Sequence, residues 1–203
     1  MSGLRIAVMA SGNGSNLQAL IDAGKSGNLG GCVELVISGS IESHALLRAE
    51  KSDIDSLYVR SMVRDGGTVL EELKKKKIGL VVLAGYMDIL GSDFVEAYRG
   101  RIINIHPSLI PSFSGMGYYG QKVHSAVIER GVKLTGATVH FVDEGADTGP
   151  IIIQKPVTVE DKDTPETIGK KVLEVEHEII VEAVRLYCKG KLDLSKGRVE
   201  ILS

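Results

Sequence analysis

Short apolar runs alternate with helix-like stretches through the first half of the chain. Leu4–Ala10, Val33–Ser38 and Ile78–Ala84 are dense in Val, Ile and Leu and predict strands. Arg101–Ile105 predicts another, and Ser56–Arg60 a weaker one. Between them Ser15–Ala23, Glu42–Ala49, Thr68–Lys77 and Ser92–Tyr98 suit helices. This alternation predicts a parallel sheet flanked by helices. Residues 35–38 (LVIS) and 81–84 (VVLA) carry no polar alternation, as expected of strands covered on both faces.

The second half has a different rhythm. Val123–Arg130 suits a helix. Ala137–Val142 and Pro150–Val157 predict strands joined by a Gly-rich turn, an antiparallel extension of the sheet. Over Thr164–Cys188, the residues Ile168, Val172, Val175, Ile179, Ala183 and Leu186 recur at three or four positions, the period of one helix face. Thr164 is an expected N-cap, Pro165 suits the first helical position, and Gly190 is an expected stop. Arg198–Leu202 is expected to add a last short strand. The expected architecture is a single α/β domain over 1–203, with a Rossmann-like, mostly parallel sheet. It divides into an N-terminal half of about 1–100 and a C-terminal half of about 101–203.

Composition narrows the chemistry. Lys plus Arg number 24 against 26 Asp plus Glu, a net charge of −2, which gives no global electrostatic case for nucleic acid or an anionic membrane. No apolar run reaches membrane-spanning length, and Met1–Arg5 lacks a signal-peptide pattern. Cys32 and Cys188 fit no metal spacing, and a reduced, cytoplasmic compartment is expected. The five His show no H-E-x-x-H pattern, so no metal is expected.

Three segments carry candidate chemistry. Ser11-Gly12-Asn13-Gly14-Ser15-Asn16-Leu17 joins the first strand to the first helix, where backbone amides and the helix dipole attract phosphate. It has no Lys for a Walker loop, and Leu17 stands where a dinucleotide fingerprint needs Gly, so a phosphomonoester fits better. A plain turn with Ser15 capping the helix is the alternative. Asn104 and His106 point the same way on a strand that Pro107 ends. Two such donors aimed at one carbonyl would stabilise an acyl-transfer oxyanion. A satisfied polar pair is the alternative. Asp147, in the loop Asp143–Gly149, would raise the His106 pKa if it lay close, unless the loop is a solvated hairpin. His140 is expected to pack in its strand. His44 and His124 are expected on the surface, and His177 on a solvated helix face.

Taken in order, residues 10–18 (ASGNGSNLQ), 83–87 (LAGYM), 104–111 (NIHPSLIP), 136–142 (GATVHFV) and 147–152 (DTGPII) resemble the folate-dependent formyltransferases. The SGNGSN opening in so short a chain resembles the phosphoribosylglycinamide branch. The resemblance runs from Ile6 to about Leu192. It implies a formyltransferase fold and transfer of formyl from the co-substrate 10-formyltetrahydrofolate to the amine of glycinamide ribonucleotide. By it Asn104, His106 and Asp147 match the catalytic residues, with His106 kept protonated by Asp147. Gly14, Ser15 and Asn16 match the acceptor's phosphate loop, and Glu176 an acceptor contact. Met87, Asp88, Ile89 and Leu90 match the pterin segment, the loop Asp143, Glu144, Gly145 and Ala146 closes the folate pocket, and Arg64 matches a folate contact.

Two departures stand out. Asp88 occupies a position where the family commonly has a basic residue, and Gly115–Gly120 replaces a shorter turn and is expected to form a mobile flap. A formyltetrahydrofolate hydrolase would share the same trio, and a non-enzymatic phosphate-binding module would need only Gly12–Asn16. The chain is expected to be a free-standing enzyme, a monomer or homodimer, with no nucleic-acid or membrane partner.

Overall fold

The structure is a computed structural model that describes residues 3–203; Met1 and Ser2, on which the signal-peptide expectation partly falls, lie outside the described residues. The chain forms β1 (Leu4–Met9), α1 (Ser15–Lys25), β2 (Gly31–Ser38), α2 (His44–Lys51), β3 (Asp55–Tyr58), α3 (Met62–Lys75), β4 (Leu80–Ala84), α4 (Ser92–Ala97) and β5 (Ile102–His106). It continues with α5 (Gln121–Arg130), β6 (Leu134–Phe141), β7 (Ile151–Thr158), α6 (Pro165–Cys188), β8 (Leu192–Asp193) and β9 (Glu200–Ile201). Seven strands form one sheet in the order β3-β2-β1-β4-β5-β6-β7. The first five are parallel, and β6 and β7 are antiparallel to their neighbours, as the change of rhythm predicts.

Strand periodicity sorts side chains into two cores. Ile6, Val8, Val82, Ile103 and Ile105 face α1, α5 and α6, while Ala7, Met9, Val81, Leu83 and Ile102 face α3 and α4. Each fully buried Ile, Leu or Met side chain contributes about 1.5–3 kcal/mol, so both faces are held strongly. β4 is buried along its whole length, which explains its unbroken apolar run. Pro156 lies in β7, the edge strand, where a missing N–H breaks no central ladder.

The elements depart from expectation where tertiary packing overrides local signals. α3 begins at Met62 rather than Thr68, running through Gly66 and Gly67. Met62, Gly66, Val69 and Leu73 make its buried face, and that burial offsets the roughly 1 kcal/mol each glycine costs in a helix. β8 was not expected; it pairs with β9, the predicted terminal strand.

The strand order reverses between β1 and β4, which begin crossovers in opposite directions along the sheet. Open α/β sheets bind ligands beyond the carboxyl ends of strands at such a point. Ser11 N donates to the Gly85 carbonyl there at 3.2 Å, tying the two strand ends together.

The connection from β6 to β7 is an ordered turn. Asp143 Oδ1 accepts from the Thr148 hydroxyl at 2.6 Å and the Gly145 amide at 3.1 Å. A β carbon on Gly149 would fall 1.8 Å from the Phe141 carbonyl oxygen, inside backbone that cannot retreat. Gly149→Ala is expected to cost about 3 kcal/mol, the upper range for overpacking. Urea unfolding of the variant checks this; an unchanged midpoint would contradict it.

Candidate active site

The phosphate-type loop owes its shape to Gly14. This residue sits at φ 71°, and a β carbon on it would meet the Ala45 Cα at 3.0 Å. No other residue type satisfies both demands. The loop is clamped from α2: the Ser43 hydroxyl donates to the Gly12 carbonyl at 3.0 Å, and Arg48 Nε to the Asn13 carbonyl at 2.8 Å. Gly14 is the N-cap of α1 and no side chain caps that helix, so the Ser15-cap alternative is not what forms. Ser15 and Asn16 line a cavity of about 540 Å³, shared with Gly85, Ile105, His124, Lys170 and Glu176. The α1 amino end and the Lys170 ammonium are its anion-attracting features.

Asn16 and Glu176 bring together residues 160 positions apart in sequence. Asn16 Nδ2 donates to Glu176 Oε2 at 2.7 Å, while Asn16 Oδ1 is buried without a partner. Burial pushes the Glu176 carboxyl up to about 7, and the Asn16 bond opposes this only in part.

The second cluster forms at the end of β5. Asn104, on the α3/α4 face, pairs across to His140 of β6. Its Nδ2 lies 3.1 Å from His140 Nε2 and donates to Asp147 Oδ1 at 3.4 Å. His106 Nδ1 lies 3.3 Å from Asp147 Oδ2. The other His106 nitrogen, Nε2, sits 2.9 Å from the Phe113 carbonyl; a carbonyl only accepts, so Nε2 carries a proton. By the same reasoning His140 Nδ1, 2.7 Å from the Phe141 carbonyl, carries one, and its Nε2 lies 3.5 Å from Asp147 Oδ1 as well as beside the Asn104 amide. Asp147 adopts φ 59° and also accepts from the Gly115 amide at 2.9 Å.

Electrostatics at the cluster pull in two directions. Burial dominates at His106 and lowers its pKa below the usual value. Asp147 and the Phe113 carbonyl oppose that shift without cancelling it, and His140 adds to it. Burial and Asp147 therefore act on the His106 proton in opposite senses. Burial raises the Asp147 carboxyl, but His140, His106 and the Gly115 amide together outweigh it and hold the group below its ordinary value.

A cavity of about 450 Å³ opens on this cluster. Met87, Asp88, Ile89 and Leu90 line one wall, and Asp143, Glu144, Gly145 and Ala146 another. Asn104, His140 and Asp147 form the floor, and the Gly115–Tyr119 loop a further side. Consecutive β5 residues thus serve different cavities: Asn104 this one, Ile105 the phosphate-type one.

Other expected positions fall differently. His106 is 4% exposed and lines neither cavity; it reaches the site through Asp147. Arg64 is exposed on α3 and is not among the residues lining the cavity. His124 is buried, not superficial, because Gly169 of α6 leaves room for its ring. His177 is half-buried with Nε2 shielded from water, so its face of α6 is not simply solvated. His140, expected as core packing, is indeed 2% exposed yet belongs to the cluster. Only the β5–β6 register, which sets it opposite Asn104, reveals that.

Known proteins share this fold. The formyl transferase family matches residues 4–184. The chain belongs to the formyl transferase family. The phosphoribosylglycinamide formyltransferase of Bacillus subtilis is 39% identical over 178 residues, covering 85% of this chain and 89% of that one. The chloroplastic phosphoribosylglycinamide formyltransferase of Vigna unguiculata is 36% identical over 203 residues; the match covers 98% of this chain and spans 65% of the plant protein's length. Glycinamide ribonucleotide transformylase 1 from Symbiobacterium toebii has a crystal structure that superposes with a TM-score of 0.92 at 39% identity, covering 99% of this chain and 95% of that one. Within the family, these likenesses put the chain among the phosphoribosylglycinamide formyltransferases.

Glu176 gives a pH prediction. Its carboxyl binds a proton more tightly folded, at about 7, than at its ordinary 4.5. Stability from this group is full below about 4.5 and is lost as pH rises through about 7. Glu176→Gln, which keeps an acceptor for Asn16 without a charge, is expected to be about 2–3 kcal/mol more stable than the parent at pH 8. The difference should shrink towards pH 5. Thermal melts across this range check it, and a pH-independent difference would contradict the assignment.

Proposed function

We propose that the chain transfers the formyl group of 10-formyltetrahydrofolate to the amine of glycinamide ribonucleotide. The observation that carries this reading is the convergence of Asn104, His106, His140 and Gly115 on one carboxylate, Asp147, at the floor of one cavity beside a second that begins at a helix amino end. The phosphate-type cavity takes the ribonucleotide, with Ser15 and Asn16 at its phosphate and Glu176 deeper in. The other cavity takes the folate, its pterin against Met87–Leu90 and under the Asp143–Ala146 loop. Arg64 is left out of this assignment. Each substrate draws on residues before and after position 100, so a division at that point describes the chain order rather than two separate sites.

The free amine attacks the formyl carbon, forming the new C–N bond and an oxyanion. Asn104 Nδ2, whose 3.4 Å contact to Asp147 is long, turns to the oxyanion. The amine's proton passes to N10 as the old C–N bond breaks, relayed by the Asp147 carboxylate at the cavity floor, which His106 supports from behind at 3.3 Å. No covalent enzyme intermediate is needed. Aligning two substrates contributes much of the rest, since effective molarities reach ~10⁵ M or more. A reducing, cytoplasmic setting is part of the proposal, supported by two free thiols, Cys32 and Cys188. Among the described residues, no helix is long and apolar enough to cross a membrane.

Purified protein assayed with 10-formyltetrahydrofolate, with and without glycinamide ribonucleotide, tests the reading. Release of tetrahydrofolate only with acceptor supports transfer; acceptor-independent release would mark a hydrolase. His106→Asn and Asp147→Asn are each expected to lower kcat at least ~10²-fold, the scale of one preorganised charge-stabilising group. A variant with near-parent turnover would remove that residue from the mechanism.

A further inference from the structure

The first turn of a helix leaves its amides without intrahelical partners. In α3 the N-cap residue, Ser61, makes no side-chain bond to the helix. Asp88, in the β4–α4 connection, supplies what Ser61 does not: its Oδ2 accepts from the Met62 amide at 2.7 Å. Its Oδ1 accepts from the Ile89 amide at 2.9 Å. One carboxylate therefore joins the positive end of α3 to the backbone lining the cavity over Asp147.

Packing holds that backbone only at its ends, where Tyr86 and Leu90 lie against the core. Between them Met87 is 53% exposed and Ile89 62% exposed, so neither side chain flanking Asp88 anchors the segment. Its other hold is the Met87 amide, which donates to the Ser11 hydroxyl at 3.2 Å. A basic residue at position 88 could accept neither amide.

We propose that Asp88 is a positioning residue for the formyl donor: it fixes the backbone of Met87–Leu90 against α3 so that this segment is preformed to bind the donor's polar heterocycle. The proposal rests on the folate reading of the cavity given above. It assigns the Asp88 carboxylate to α3 and not to contact with the folate, and so accounts for an acid at a position where a base is expected.

Steady-state kinetics of the full chain with 10-formyltetrahydrofolate and glycinamide ribonucleotide test it. Asp88→Ala is expected to raise KM for the donor about tenfold, the scale of one charge-assisted cap bond. KM for the acceptor should stay within about twofold and kcat within about threefold, near the resolution of such comparisons. Asp88→Asn keeps a carbonyl acceptor and should recover most of the donor KM, whereas Asp88→Lys should not. Amide exchange in the substrate-free protein supplies a readout independent of turnover: the Met62 and Ile89 amides should exchange faster in Asp88→Ala and Asp88→Lys. Ser61→Ala, which removes no cap bond, should change neither quantity. A folded Asp88→Ala variant with parental donor KM overturns the proposal, as does an equal rise in both KM values. An inactive parent chain overturns the folate reading itself, and the positioning role with it, while parental exchange at Met62 in Asp88→Ala removes the tie to α3 and overturns the positioning role with the folate reading intact.

Discussion

One carboxylate organises the catalytic end of this molecule. Asp147 accepts from the Asn104 amide and the Gly115 backbone, and faces ring nitrogens of both His106 and His140. It does so from φ 59°, a conformation a non-glycine residue holds only when its surroundings over-determine it. Asp143 supplies that constraint at the amino side of the turn, by accepting from Gly145 and Thr148, and Gly149 supplies it at the other, by lying against the Phe141 carbonyl. The turn chemistry and the catalytic chemistry are therefore one requirement. Moving Asp147 by an ångström would break its contact with the Gly115 amide and pull it from one nitrogen of each buried imidazole.

The sheet does the remaining positioning by periodicity. Successive side chains of a strand face opposite ways, so β5 sends Asn104 to one cavity and Ile105 to the other. The two cavities need not be built separately. They are the two faces of one sheet, exposed where the strand order reverses and the helices diverge. A reaction between two substrates suits this plan, because each can approach from its own face and meet at the strand end.

Much of this was legible in the residues. The unbroken apolar runs gave β2 and β4, Pro107 marked the end of β5, and Thr164-Pro165 marked the start of α6, where the side chain of Thr164 caps the helix. Asn104 and His106 could be paired from strand period alone. What stayed hidden depends on contacts between distant segments. Nothing near Thr68 announces that α3 begins at Met62, because its first amide is satisfied by Asp88, 26 residues away. His140 reads as core until the register sets it beside Asn104. The downward pull of burial on the His106 pKa was hidden too, because proximity to Asp147 is visible in a motif and the depth of burial is not.

The two buried acids show why burial must be weighed case by case. Asp147 and Glu176 are both withdrawn from water, yet their carboxyls shift in opposite directions. Asp147 meets two imidazoles and a backbone amide, enough to favour the charged form over the cost of desolvation. Glu176 meets a single neutral amide, Asn16, and desolvation wins. In the proposed reaction one acid is thus poised to carry negative charge at the donor cavity, and the other to hold its proton more tightly in the acceptor cavity. On the proposed reading, separating two like groups by environment lets one fold keep an anion at the donor cavity while lessening the charge where a phosphorylated acceptor enters.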